Sequence, residues 1–177
     1  MKMPLTRHKS GFTLLEILVV VMIIGILVSL LLPSVTMLKN AAKRKQARIK
    51  ALAFVSAVTK YRTEYGKYPG QTQDDIDQDI EPEVMLEEII ENPRDMIFMD
   101  FTPEDFTEGG GLADPWGMPY VIAINENGDG ETEMEGEISG SFGTVTFETN
   151  IPDINICLMS WGGDPPNINV RVYSWRD

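Results

Sequence analysis

From Phe12 to Leu32 the chain is apolar over 21 residues, interrupted by a single charge, Glu16. A helix of that length rises about 30 Å, the thickness of a bilayer core, so the pattern predicts a membrane-spanning segment over residues 12–33. Beyond Pro33 the pattern changes. Ala51, Phe54, Val55, Val58, Tyr61 and Tyr65 recur at spacings of three and four, which makes one apolar stripe on a helix. The same helix is therefore predicted to continue as an amphipathic half over 34–66, with Lys60 and Glu64 paired at i, i+4 on another face. Gly66 and Pro69 stop it. Its full length would be roughly 80 Å. Pro33 has no amide hydrogen to donate and is expected to bend or loosen the helix.

The remainder, 67–177, reads as one globular head. Residues 82–91 form a short predicted helix, with Met85, Leu86, Ile89 and Ile90 turned inward. Pro82 suits its first turn and Asn92-Pro93 ends it. Gly109, Gly110 and Gly111 break the chain. Strands are then predicted over 120–125, 144–149, 154–160 and 170–175, each short, β-branched or aromatic, and separated by turn residues. A long helix followed by close strands predicts an α+β fold with an antiparallel sheet packed on the helix.

Composition narrows the chemistry. The 177 residues carry 15 basic and 27 acidic side chains, a net charge of −12. Without Met1–Gly11, which holds Lys2, Arg7 and Lys9, the charge is −15. That argues against nucleic-acid binding by the head. Residues 71–108 hold 14 of the acids and one base, Arg94, and are read as a solvated surface. One cysteine, Cys157, excludes an intrachain disulfide and lies in an apolar run, so it is read as a buried structural thiol. The one histidine, His8, precedes the apolar segment. A chain cut before Phe12 has no histidine for a triad, a dyad or a metal site. An ordinary secretory signal would need a shorter apolar run and a small-residue cleavage site, which do not occur here.

Glu16 has two readings on position alone. It is an interfacial carboxylate favoured by the helix dipole, or a charge awaiting a cation, as ionisable groups in membrane segments usually do. The flanking residues bear on the choice. Lys9-Ser10-Gly11-Phe12-Thr13-Leu14-Leu15-Glu16 closely resembles the processing site of the type IV pilin and type II secretion pseudopilin superfamily. That resemblance implies a leader, 1–11, cut by a prepilin peptidase between Gly11 and Phe12. It implies N-methylation of Phe12, and pairing of Glu16 with the terminal amine of a neighbouring subunit. Gly25 and Pro33 stand where family members have helix-loosening residues. Orientation carries a tension. Six basic residues, Lys39, Lys43, Arg44, Lys45, Arg48 and Lys50, follow the span, against three before it, and a positive-inside count puts the C-terminal side in the cytoplasm. The resemblance implies the opposite, because the leader must face its peptidase.

Ala113-Asp114-Pro115-Trp116-Gly117-Met118-Pro119-Tyr120 looks like the Asp-Pro-Trp-Gly-x-Pro-Tyr turn of major pseudopilins. On physical grounds it is a turn fixed by two prolines and a glycine and anchored by Trp116 and Tyr120. Ser160-Trp161-Gly162-Gly163-Asp164 is similar to the Ser-x-Gly-x-Asp segment of those proteins. Val172-Tyr173-Ser174-Trp175 is similar to their closing segment, except that Arg171 stands where an Asp is expected. The resemblance implies that this loop can hold calcium, which leaves Asp164 as a candidate ligand. Calcium needs six to eight oxygens, and Arg171 speaks against the site. Asn125, Asn127 and Asp129 form a second candidate, with the alternating oxygens of an EF-hand start. Gly136 stands at its twelfth place, and Asn127-Gly128 and Asp129-Gly130 equally signal a hairpin turn.

The sequence is thus read as a non-enzymatic pseudopilin, with no cofactor expected and calcium as the alternative. It is expected to be single-pass in the inner membrane with its head in the periplasm, and to form a homo-oligomeric filament. The expected partners are a prepilin peptidase, an inner-membrane assembly platform and other pseudopilins. A type IV or competence-type pilin is the alternative within the superfamily. A membrane-anchored enzyme working through paired carboxylates is the alternative outside it.

Overall fold

The computed structural model describes residues 12–71, 81–125 and 129–175, without the side chains of 30–34 and 170. The chain divides into two compact units, Met1–Asn40 and Ala41–Asp177. Helix α1 (Leu14–Tyr65) runs through both, and its backbone stays helical at residue 33. In the first unit α1 is apolar and exposed. In the second it is amphipathic.

The second unit is built on the buried stripe of α1. Ala47, Ala51, Phe54, Ala57, Val58 and Tyr61 are all buried there, joined by half-buried Val55 and Tyr65. Alanines at three of these positions keep the stripe low, so that other elements approach the helix backbone. The helix ends at Gly66, which adopts φ 74° and donates its N–H to the Arg62 carbonyl at 2.8 Å. A left-handed residue after the last turn is where glycine costs least.

Helix α2 (Pro82–Ile90) packs Met85, Leu86 and Ile89 into the same core. Ile90 differs from expectation and stays half exposed. Residues 85, 86 and 89 share one face of a helix, and residue 90 lies a further 100° round it. The predicted Lys60–Glu64 pair also does not form; the Glu64 carboxylate takes Arg94 instead. Just beyond α2, buried Asn92 organises the chain. Its amide nitrogen donates to the Ile89 and Met96 carbonyls, and its oxygen accepts from Met96 N–H and the Tyr65 hydroxyl.

Five strands follow: β1 (Val121–Ile124), β2 (Glu131–Gly140), β3 (Gly143–Pro152), β4 (Ile156–Ser160) and β5 (Val172–Tyr173). They make a three-stranded antiparallel sheet in the order β1-β4-β5 and a separate two-stranded hairpin, β2-β3. The fold is α+β, with the long helix packed on small antiparallel sheets. β2 was not expected as a strand. The hairpin signals at Asp129-Gly130 do not pair β1 with β2, because β1 takes β4 as its partner. The tight reversal lies instead at Ser141-Phe142, closed by Gly143 at φ 93°. The last strand is shorter than 170–175 and spans only Val172–Tyr173.

The sheet is covered on both faces. Ile156 and Leu158 of β4 join the α1 core, while Cys157 and Met159 join a second cluster with Met134 and Ile151 of the hairpin. Period-two alternation along β4 sends successive side chains to opposite layers. This explains why every residue of β4 is buried.

Candidate functional site

The N-terminal helix presents the first candidate site. Phe12 is 84% exposed and Leu14 is 93% exposed, and from Leu14 to Val28 every large apolar side chain faces outward. An apolar surface of this extent on one helix calls for a covering phase, lipid or protein. Among the described residues no helix is long and apolar enough to cross a membrane. The apolar run with described side chains ends at Ser29, and the sequence adds Leu30, Leu31 and Leu32.

At the head of this surface Glu16 and Thr13 form a reciprocal capping box. One carboxylate oxygen, Oε2, accepts from Thr13 N–H at 2.8 Å and from Thr13 Oγ1 at 2.9 Å. Thr13 Oγ1 in turn accepts from Glu16 N–H at 3.2 Å. Such a box satisfies helix-end donors that otherwise face an apolar medium unpaired. The Thr-x-x-Glu spacing carries this signal in the sequence. Gly11 lies outside the described residues. A Cβ at Gly25 would meet nothing within 4 Å, so the isolated chain does not itself require glycine there.

The second candidate is the turn before β1. Asp114, 5% exposed, is its hub. Its Oδ1 accepts from Trp116 N–H and Met118 N–H, each at 2.9 Å, and its Oδ2 from Ser160 Oγ at 2.6 Å. Ser160 Oγ also accepts from Gly162 N–H at 3.1 Å, so the carboxylate ties the turn to the end of β4. Burial raises the Asp114 carboxyl above its ordinary range, against the opposing pull of these donors. The turn also grips α1. Tyr120 donates its hydroxyl to the Ala47 carbonyl at 2.8 Å. Lys50 Nζ reaches the Ala113 carbonyl at 2.8 Å and Asp105 at 2.5 Å. Gly163 lies against Trp116 so closely that a Cβ there would sit 2.7 Å from the indole nitrogen. The two prolines and the anchoring rings were legible in the sequence; the role of Asp114 as acceptor for three donors was not.

Among the described residues no three Asp, Glu, Cys or His side chains gather as a metal site. Asp164 is exposed. Asn125 is buried at the end of β1, and Asp129 caps the Glu131 N–H at 2.8 Å. Asn127 lies outside the described residues. Arg171 puts a cation into the C-terminal loop, where its guanidinium lies 5.1 Å from both the Phe147 and Trp161 rings and its Nη2 approaches the Pro165 carbonyl at 3.5 Å. Arg171 thus sets a positive charge where the resemblance expects a carboxylate. Cys157 is buried and its thiol is pushed up to about 12 by desolvation, the behaviour of a structural thiol.

An exposed apolar helix headed by Gly-Phe-Thr-Leu-Leu-Glu and followed by an α+β head defines a prepilin-type chain, and the prokaryotic N-terminal methylation motif matches residues 6–32. The chain is 34% identical over 118 residues to type II secretion system core protein G of Pseudomonas aeruginosa, covering 64% of this chain and 72% of that protein. It is 31% identical to the protein of the same name from Aeromonas hydrophila, over 66% and 73% of the two chains. The Escherichia coli K12 protein is 30% identical over 77% of this chain and 94% of its own length. No solved structure gives a significant match. The chain belongs to the type II secretion system core protein G family, the pseudopilins, whose members are structural subunits and not enzymes.

Proposed function

We propose that this chain polymerises through residues 12–33 into a periplasmic pseudopilus that helps drive protein export. The observation that carries this reading is the outward apolar surface of Leu14–Val28 with one carboxylate at its head. Lipid covers that surface in the single-pass inner-membrane form, and neighbouring helices cover it in the filament. The head then lies in the periplasm.

A prepilin peptidase removes 1–11 by cutting between Gly11 and Phe12, and Phe12 is N-methylated. Glu16 accepts the Phe12 amine of a neighbour and so sets register. In low dielectric that pair attracts strongly, whereas either charge alone is costly. Within one chain the amine and a side chain four residues on sit at the same helix start, so a neighbour shifted along the axis closes the pair more readily. Gly25 and Pro33 give the helix the compliance to pack among its copies; Pro33 leaves the residue-29 carbonyl without its usual helical donor. The inner-membrane assembly platform and other pseudopilins are the further partners. The protein works without a cofactor, and Arg171 takes the place of a calcium ligand. Intact mass of the mature protein tests the processing step: loss of Met1–Gly11 plus one methyl is expected, and a mature chain beginning beyond Pro33 refutes it.

A further inference from the structure

Within Ala41–Asp177 an acidic strand face and a basic stretch of helix lie on different sides of the three-stranded sheet. On the side covered by the hairpin, β2 and β3 turn Glu131, Glu133, Glu135, Glu137 and Glu148 outward, with no basic residue on either strand. The register sets Glu135 directly opposite Glu148, a like-charge cross-strand pair that weakens a hairpin on its own. Asn150 donates to Glu131, while the other four carboxylates have no cation among the described residues. On the other side lies α1, whose residues 41–50 include no acid. There Lys50 is engaged by Asp105 and Lys43 leans over the Trp116 ring at 5.7 Å, while Arg44 and Lys45 are exposed.

These patches lie on opposite sides of one sheet, so they do not meet within one chain. We propose that the acidic outer face of the β2-β3 hairpin docks on the Arg44–Lys45 stretch of α1 in a second copy of this chain. The inference rests on the reading that the chain polymerises. A second copy is the occupant because the hairpin face and the Arg44–Lys45 stretch are of opposite sign and one chain supplies both. An anionic membrane or a nucleic acid would be repelled by the hairpin. The contact joins two different patches, so it can repeat head to tail along an open line of subunits wherever the rotation between copies does not close a ring. The processed chain carries −15 overall. Copies therefore repel in most orientations, and the complementary one is selected.

The test uses the full-length chain in cells that form pseudopili on overexpression. Reversing the hairpin (Glu135→Lys with Glu137→Lys) or the helix (Arg44→Glu with Lys45→Glu) should each lower filament yield about tenfold. The combined variant restores opposite charges and should return yield to within about twofold of wild type. In cells co-expressing both, copies carrying Glu135→Cys and copies carrying Lys45→Cys should be joined by a bifunctional thiol reagent into a dimer of this chain. Single reversals without effect, failure of the combined variant to recover, or cross-linking of Glu135→Cys to a chain of different mass overturns the docking. A wild-type chain that makes no filament overturns the polymerisation reading itself, and the docking with it.

Discussion

Removing the Asp114 carboxylate tests the turn at its hub. Asp114→Ala deletes the acceptor for Trp116 N–H, Met118 N–H and Ser160 Oγ together. A buried donor left without its partner costs about 1–3 kcal/mol. Two of these donors are only partly buried, so the sum should lie near the low end, at about 3–5 kcal/mol. Asp114→Asn keeps Oδ1 for the two backbone donors and turns toward Ser160 an amide that can donate but not accept, so the Ser160 O–H loses its acceptor at a cost of about 1–2 kcal/mol. Against a total stability of about 5–15 kcal/mol, both shifts are measurable. Denaturant unfolding of the full chain in detergent micelles, followed by the near-ultraviolet signal of Trp116 and Trp161, gives the order wild type, Asn, Ala. The pH dependence adds a sign. Because burial raises the folded carboxyl, the folded state binds this proton more tightly than the unfolded state. The Asp114 contribution therefore falls as pH rises from the unfolded value of 3.8 through the folded one, and Asp114→Asn removes that slope. Equal stability of the Ala and Asn variants, or loss of less than about 0.5 kcal/mol in both, would refute the hub.

Glu16→Ala should leave membrane insertion and cleavage intact yet block filament assembly, since an unpaired buried amine costs about 3–5 kcal/mol; assembly of both Glu16→Ala and Glu16→Gln at wild-type levels would sink the pairing. Calcium and chelator should give the same melting temperature, whereas a specific site at a hundredfold excess over its Kd would add about 2.7 kcal/mol. Glu88 shows the opposite pH sign to Asp114. Burial works against its ionisation, but hydrogen bonds from Lys67 and Gly70 prevail and hold the carboxyl below its ordinary value. Its contribution is present above the unfolded value of 4.5 and is lost as pH falls through the folded one, so Glu88→Gln should flatten the acid limb of the stability curve.

The long helix was legible because its two halves carry strong and different patterns, one uniformly apolar and one a stripe from Ala51 to Tyr65. Helix α2 was legible from Pro82 and the apolar spacing, apart from Ile90. β2 was missed for a physical reason. Its outward positions are Glu131, Glu133, Glu135, Glu137 and Ser139 and its inward ones include Gly136, so its β-propensity is low and only the period-two alternation marks it. β4 shows the converse: buried on both faces, it has no alternation to read and was found by composition. At the site, Gly11, Phe12 and Glu16 stood out through motif resemblance. The Thr13 capping box is signalled by the Thr-x-x-Glu spacing, whereas the Asp114 hub depends on which donors the folded backbone brings within reach.

The bonds from Tyr120 to the Ala47 carbonyl and from Lys50 to the Ala113 carbonyl have a mechanical meaning. They cross from helix to turn side by side, one in each direction, over less than a helical turn of α1. Traction along α1 at Ala41 therefore loads them in parallel shear, where they yield together and not one after another. The load passes through Asp114 and Ser160 directly into β4, the central strand. A head fastened in this way is carried as a solid piece by whatever moves its helix, and the segment 92–111 shares the load through Asp105 on Lys50, Asn92 on Tyr65 and Arg94 on Glu64.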